Sequence, residues 1–305
     1  MEICGPLNLS VDEASLIDMH SVLNVMNVIT FELVRMESIF GYSSELENLI
    51  EENARAAKIL RDPEQAHAMV GQVDDFISNT ENSIQALASK ENKAGDAQFQ
   101  EILNNIHSIF NILEVRAAEI AARVDEPCAW VRHDIDKLKK NFTDLFQAIE
   151  QNSHKGYGIV HNDGEHRDGC YLIRLEIDSS EGGHLHMPAV FQDIVRDLFA
   201  NSRKYTAPGG KIIGTLSQDE KQLFLVVSDT GMGIPPEEIE GVVKFGNRGS
   251  NVRDRPTRGG GFGLTKAYYV TQKFGGRMWI DSTGVPGEGT RVEIKIPLPS
   301  HLAEA

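Results

Sequence analysis

Glycine divides this chain in two. Four of its 27 glycines, Gly5, Gly41, Gly71 and Gly95, precede residue 152. The first half instead spaces apolar residues three and four apart, the period of a helix with one buried stripe. Beyond about residue 156 glycines cluster and short β-branched runs appear, among them Leu223–Val227 and Val292–Ile296. That asymmetry predicts an α+β chain, with a helical bundle over residues 1–153 and a mixed domain over 156–300. Helices are expected at about 11–41, 44–60, 62–92, 97–124 and 127–152. Asp62-Pro63 and Asp96 suit helix starts, and Glu126-Pro127 a break followed by another start.

The helical half repeats a phrase. His20–Asn24 reads HSVLN, and His107–Asn111, 87 residues on, reads HSIFN. In that register Leu16 falls on Leu103, Met19 on Ile106, Val28 on Val115, Glu32 on Glu119 and Leu33 on Ile120. After a two-residue slip, Glu45-Leu46-Glu47 falls on Asp134-Ile135-Asp136. The reading is a duplicated helical hairpin, about 11–60 and 97–150, because internal repeats are a primary fold signal. Residues a turn or two apart share a helix face, so Glu13, His20, Asn24 and Asn27 form one polar strip. Gln100, His107, Asn111 and Glu114 form the matching strip.

Charge and cysteine usage narrow the function classes. The formal net charge of −15 argues against nucleic-acid binding and against an anionic membrane surface as partner. Cys4, Cys128 and Cys170 are scattered and form no CxxC, which fits a reducing compartment. No apolar run is expected to reach bilayer-spanning length, so the expectation is a cytoplasmic protein without membrane insertion.

Four stretches of the second half carry chemistry in order: FQDIVRDLFANSRKYT (Phe191–Thr206), SDTGMGI (Ser228–Ile234), RGGGFGL (Arg258–Leu264) and GEGT (Gly287–Thr290). Their order and spacing resemble the ATP-binding domain shared by histidine kinases, DNA gyrase, ninety-kilodalton heat-shock chaperones and MutL-type repair proteins. The resemblance covers about residues 157–299 and implies an α/β sandwich that binds Mg·ATP. It implies that Asn201 turns its amide oxygen to Mg²⁺, with Lys204 and Tyr205 near phosphates or ribose. Asp229 would accept from the adenine amino group with support from Thr290, while Gly231 and Gly233 let the backbone turn beside the base. Gly259, Gly261 and Gly263 would aim backbone N–H groups at the phosphates where a helix begins at Leu264. Pro235–Arg258 would form a lid carrying Arg248, Arg253, Arg255 and Arg258, anchored by Phe245.

Joined to a His-bearing helical hairpin, this domain resembles a sensor histidine kinase. The resemblance implies phosphoryl transfer from ATP through a bundle histidine to an aspartate of a response-regulator receiver domain. Here both hairpins come from one chain, which implies a monomer with a pseudo-dimeric bundle, or a homodimer. His107 is favoured over His20 as acceptor, and Asn24 and Asn111 match the family's polar residue one turn on. Ser21 and Ser108 stand where the family often has an acid, which points to weak autokinase activity or net phosphatase activity. His133-Asp134 does carry that pair and competes as acceptor. Asp197, one turn before Asn201, is a candidate for activating water or a hydroxyl. The alternatives are a serine protein kinase of the mitochondrial dehydrogenase-kinase type, and a phosphotransfer adaptor with a vestigial ATPase domain. His161, His166, His184 and His186, with Asp163, Glu165 and Asp168, read as a hairpin tip rather than a metal site.

Overall fold

The computed structural model describes residues 1–124, 126, 128–151, 158–161, 169–252 and 261–303. The chain forms two compact units, Leu9–Pro127 on the one hand and Met1–Asn8 with Cys128–Ala305 on the other.

The first unit is helical. Helix α1 (Val11–Phe40) opens with a capping box: Ser10 Oγ accepts from Glu13 N, and the Glu13 carboxylate accepts from Ser10 N. It stops at Gly41, whose φ of 69° a side chain would resist. Ser43 caps α2 (Ser44–Ile59), a short α3 (Ala66–Val70) precedes α4 (Val73–Lys90), and Asp96 caps α5 (Ala97–Ala121). The four long helices pack in ring order: α1 on α2, α2 on α4, α4 on α5 and α5 on α1. Phe40 meets Phe99 edge-on, ring centroids 5.6 Å apart, and Arg35 pairs with Glu101 at 3.6 Å, so α1 and α5 run antiparallel. Glu45 pairs with Lys90, which makes α2 and α4 antiparallel too. Buried Asn53 ties α2 to α1, donating to the Met26 carbonyl at 3.0 Å and the Thr30 hydroxyl at 2.6 Å.

The duplicated phrase packs as a duplicate. Met19 and Ile106, Val22 and Ile109, Leu23 and Phe110, Met26 and Leu113, and Leu33 and Ile120 are all buried in the same core. The duplicated hairpin does not hold. The helix expected at 127–152 begins at Ile135 as α6 (Ile135–Gln151), after a strand β1 (Trp130–Asp134), and both belong to the other unit. Ile135, Leu138, Phe142 and Phe146 enter that unit's core, so the division falls at about 127 rather than 153. The acidic match between 45–47 and 134–136 reflects helix-start chemistry, since the Asp134 carboxylate accepts from Lys137 N at 2.8 Å. Part of the stretch expected as one helix over 62–92 is the fourth long helix of the unit, α4.

Among the described residues α1 is a helix long and apolar enough to cross a membrane by length and composition, contrary to the expectation of no such run. Nine of its side chains, from Ile17 to Met36, are buried in the helical unit.

The second unit is built on a six-stranded sheet of order β2-β3-β5-β6-β8-β7. The strands are β2 (Ile159–His161), β3 (Tyr171–Ser179), β5 (Lys211–Gln218), β6 (Gln222–Asp229), β7 (Arg277–Ser282) and β8 (Thr290–Pro297). β2, β3 and β5 are parallel neighbours, and the remaining pairs are antiparallel. Burial alternates along β3 and β5, the signature of a sheet covered on one face. Helices α6, α7 (Phe191–Tyr205) and α8 (Gly263–Lys273) pack against it, making an α/β sandwich. β1 pairs separately with β4 (His184–Pro188). The first residues of the chain extend the β7 edge: Ile3 N donates to the Met278 carbonyl and Ile280 N to the Met1 carbonyl, each at 2.9 Å. Glu2 pairs with Arg277 there.

Candidate functional site

The site of the second unit lies where α7 and β6 end and α8 begins. Asp229, the last residue of β6, is mostly buried, and burial pushes its carboxyl above the ordinary aspartate value. Three donors hold it: Gly231 N at 2.8 Å, Thr290 N at 3.3 Å and the Ser202 hydroxyl. Those donors fix the position of the carboxylate at the end of β6. Gly231 has no room for a side chain, because a Cβ would stand 2.7 Å from the Tyr205 carbonyl oxygen. Met232 N donates to that carbonyl at 3.1 Å, which ties the glycine turn to the end of α7. Ser282, which sequence reasoning missed, is a hub: its hydroxyl accepts from Ile234 N at 2.8 Å and donates to the Gly289 carbonyl at 2.7 Å. It thereby joins the turn around Gly233 to that before Thr290.

Asn201 and Lys204 sit on the last turn and a half of α7. The Asn201 amide lies against Gly263, the first residue of α8, where a Cβ would collide with it. Lys204 is half-buried, with its ammonium 5.2 Å from the Tyr205 ring centroid. Burial, then the Arg248 and Arg203 charges, push its pKa down to about 8. Such a cluster of cations suits a polyanion. Gly261 has a φ of 78°, Leu264 packs on the core, and Phe245 stacks on Phe262 with centroids 4.6 Å apart. Asp197 is half-buried one turn before Asn201. Gly259 and the lid residues Arg253, Arg255 and Arg258 lie outside the described residues.

A buried ion pair holds α7 to α8. Lys266 Nζ is 2.9 Å from one oxygen of Asp193 and Arg196 is 2.7 Å from the other. Lys266 and Asp193 are 0% and 2% exposed. Nothing in the sequence pattern singled these residues out.

The residues present fit Mg·ATP: a fixed buried acceptor for a base, a side-chain-free turn beside it, a cationic helix end, and an amide oxygen on Asn201 of the kind Mg²⁺ takes.

In the helical unit the repeat histidines are not equivalent. Asn24 Nδ2 lies 3.0 Å from His20 Nε2, one turn away. His107 Nε2 instead faces Glu81 Oε1 of α4 at 3.4 Å, and Asn111 is exposed. The antiparallel register puts His107 level with α1 near residue 30, about ten residues or about 15 Å along the axis from His20. His133, the competing acceptor, lies on strand β1 rather than on a helix, and burial lowers its pKa, with His186 adding to the effect. His184 and His186 stand on β4, while His166, Asp163, Glu165 and Asp168 lie outside the described residues.

Residues 188–300 match the family described as histidine kinase-, DNA gyrase B-, and HSP90-like ATPase. They form a histidine kinase-like ATPase domain. The sensor histidine kinase RppB of Synechocystis is 34% identical over 105 residues, 34% of this chain and 23% of that protein. The histidine protein kinase DivJ of Caulobacter vibrioides is 35% identical over 138 residues, 42% of this chain and 23% of that one. A mycobacterial sensor histidine kinase, MprB, aligns as a solved structure over 55% of this chain and 97% of that chain, at 21% identity and a TM-score of 0.39. The matched stretches span under a quarter of the length of RppB and DivJ.

Proposed function

We propose that the chain is an ATP-dependent protein-histidine kinase of a two-component phosphorelay, with His107 as phosphoacceptor and a response-regulator receiver domain as partner. The observation that carries this is an ATP-type site built around Asp229 in the same chain as a helical unit that presents His107, 41% exposed, beside a carboxylate. The ring of α1, α2, α4 and α5 acts as a single-chain four-helix bundle, the counterpart of the bundle two subunits of such kinases build together.

Asp229 accepts from the adenine amino group, Thr290 supports that contact, and Gly231 and Gly233 admit the base. Lys204 and Arg248 balance phosphate charge, and the N–H groups around Gly261 and Gly263 meet the phosphates at the start of α8. Asn201 holds Mg²⁺, which supplies charge neutralisation at the phosphates when bound. Asp197 faces the same chemistry from one turn away.

Incubation with labelled ATP and Mg²⁺ tests the reading. The expected label is acid-labile and alkali-stable, lost in His107→Gln and Asp229→Ala and retained in His20→Gln. Acid-stable label would assign a serine kinase instead. Wild-type labelling in His107→Gln would remove His107 from the reaction, and absence of nucleotide binding would mark the domain as vestigial.

A further inference from the structure

We infer that Glu81 is the proton acceptor and positioning residue for His107, and that the two repeat histidines are thereby divided into a reactive and an unreactive copy. This rests on the phosphoacceptor reading above. The residue that follows each repeat histidine is a serine, which cannot take a proton at neutral pH. The structure supplies a carboxylate from another helix. Glu81 Oε1 of α4 stands 3.4 Å from His107 Nε2, and the two side chains are 34% and 41% exposed. They are close enough to interact and open enough for a phosphoryl donor to reach the ring. A carboxylate can only accept when ionised, so it favours a proton on the ring nitrogen facing it. The opposite nitrogen then keeps its lone pair for attack.

The first copy has the reverse polarity. The Asn24 amide nitrogen can only donate, so at 3.0 Å it occupies the lone pair of His20 Nε2. One copy therefore meets an acceptor and the other a donor. The likeness of HSVLN and HSIFN conceals this, because the distinguishing partner comes from α4, a helix outside the repeated phrase.

The step balances as a simple displacement. The ring nitrogen turned away from Glu81 forms a bond to phosphorus as the bond from phosphorus to the leaving group breaks. The leaving group carries off that electron pair, and the proton on the facing nitrogen passes to the Glu81 carboxylate. The neutral phosphoimidazole results. Nothing beyond the phosphoryl donor is consumed.

Phosphoramidate, a small phosphoryl donor whose leaving group is ammonia, tests the inference on the full chain without calling on the ATP site. Labelling of His107 and His20 is read on the same molecules by phosphopeptide mass spectrometry under alkaline conditions. In wild type His107 is expected to label faster. Glu81→Gln, which keeps the shape and removes the carboxylate, is expected to lower His107 labelling by about tenfold. General-base assistance is typically about 10²–10⁴-fold, and partial exposure reduces it. His20 labelling should stay constant, which a general loss of structure would not allow, and Glu81→Asp should restore part of the His107 rate. Asn24→Ala should raise His20 labelling. An unchanged ratio of His107 to His20 labelling in Glu81→Gln overturns the inference. Loss of ATP-dependent labelling with these ratios intact would instead count against the kinase reading alone.

Discussion

Replacing Asp193 by Asn should be among the most destabilising conservative changes in the ATPase unit. The substitution keeps the side chain's shape but strips the counter-charge from Lys266, which is 0% exposed. At the observed 2.9 Å, an effective dielectric of about 20 gives a Coulomb attraction of about 6 kcal/mol. Desolvation of both ions offsets much of that in the intact pair, but the single substitution leaves the desolvation in place. The net loss on breaking a buried pair is typically about 3–5 kcal/mol. With a urea slope of about 2 kcal/mol/M, the unfolding midpoint should fall by about 2 M. The double variant Asp193→Leu/Lys266→Met removes both charges of that pair and should recover about half of the single variant's loss, the remainder reflecting Arg196, which also pairs with Asp193. Urea titration of the four members of the cycle, followed by far-ultraviolet circular dichroism, measures the coupling. A midpoint shift under about 0.5 M for the single variant, or a double variant worse than the single one, would refute the reasoning. Because the pair holds α7, which carries Asn201, to α8, which carries Gly263, weaker nucleotide binding should accompany the loss of stability.

Further outcomes follow from the site and the helical core. Asp229→Asn should weaken adenosine nucleotide binding by about ten- to a hundredfold without lowering the melting temperature, since it removes a charge that burial already disfavours; calorimetry and thermal scans check both. Burial raises the Asp229 pKa, so nucleotide affinity should decline on acidification at a higher pH than an ordinary aspartate would give. Lys204, with its pKa lowered to about 8, is half-charged at pH 8 and mostly charged at pH 7. Phosphates that restore its proton should cause uptake of about half a proton at pH 8 and about 0.1 at pH 7. Calorimetry in buffers of different ionisation enthalpy reads that uptake, which Lys204→Met should abolish. Asn53→Ala should cost about 2–3 kcal/mol in the unfolding of the helical unit, by stripping partners from the Met26 carbonyl and the Thr30 hydroxyl.

The ATP-binding half was legible because its constraints are local. Gly231 must lack a Cβ to pass the Tyr205 carbonyl, and Asp229 must follow a strand; such demands leave fixed letters at fixed spacing. The duplicated phrase was legible for a similar reason, since equivalent buried positions of α1 and α5 recur in one register. Choosing the fourth long helix was beyond that logic. α4 and α6 are both amphipathic, and periodicity alone cannot say which core an apolar stripe enters. The strand Trp130–Asp134 decided it by pairing with β4, a contact made some fifty residues along the chain. Glu81, Ser282 and the Asp193–Lys266 pair escaped notice likewise, because each acts through a partner from a different element.

The pairing of the first three residues with β7 also sets an order of events in synthesis. Met1 bonds to Ile280, 279 positions later. At roughly 5–20 residues per second, the ribosome takes about 14–56 s to supply that partner after Met1 is made. The helical unit, Leu9–Pro127, is complete in the chain long before then and can fold as a closed excursion between the two parts of the ATPase unit. Residues 1–3 must meanwhile stay unpaired until β7 has formed beside them. Deleting residues 1–8 would leave that edge permanently unpaired, so the shortened chain should self-associate through it at concentrations where the intact chain does not.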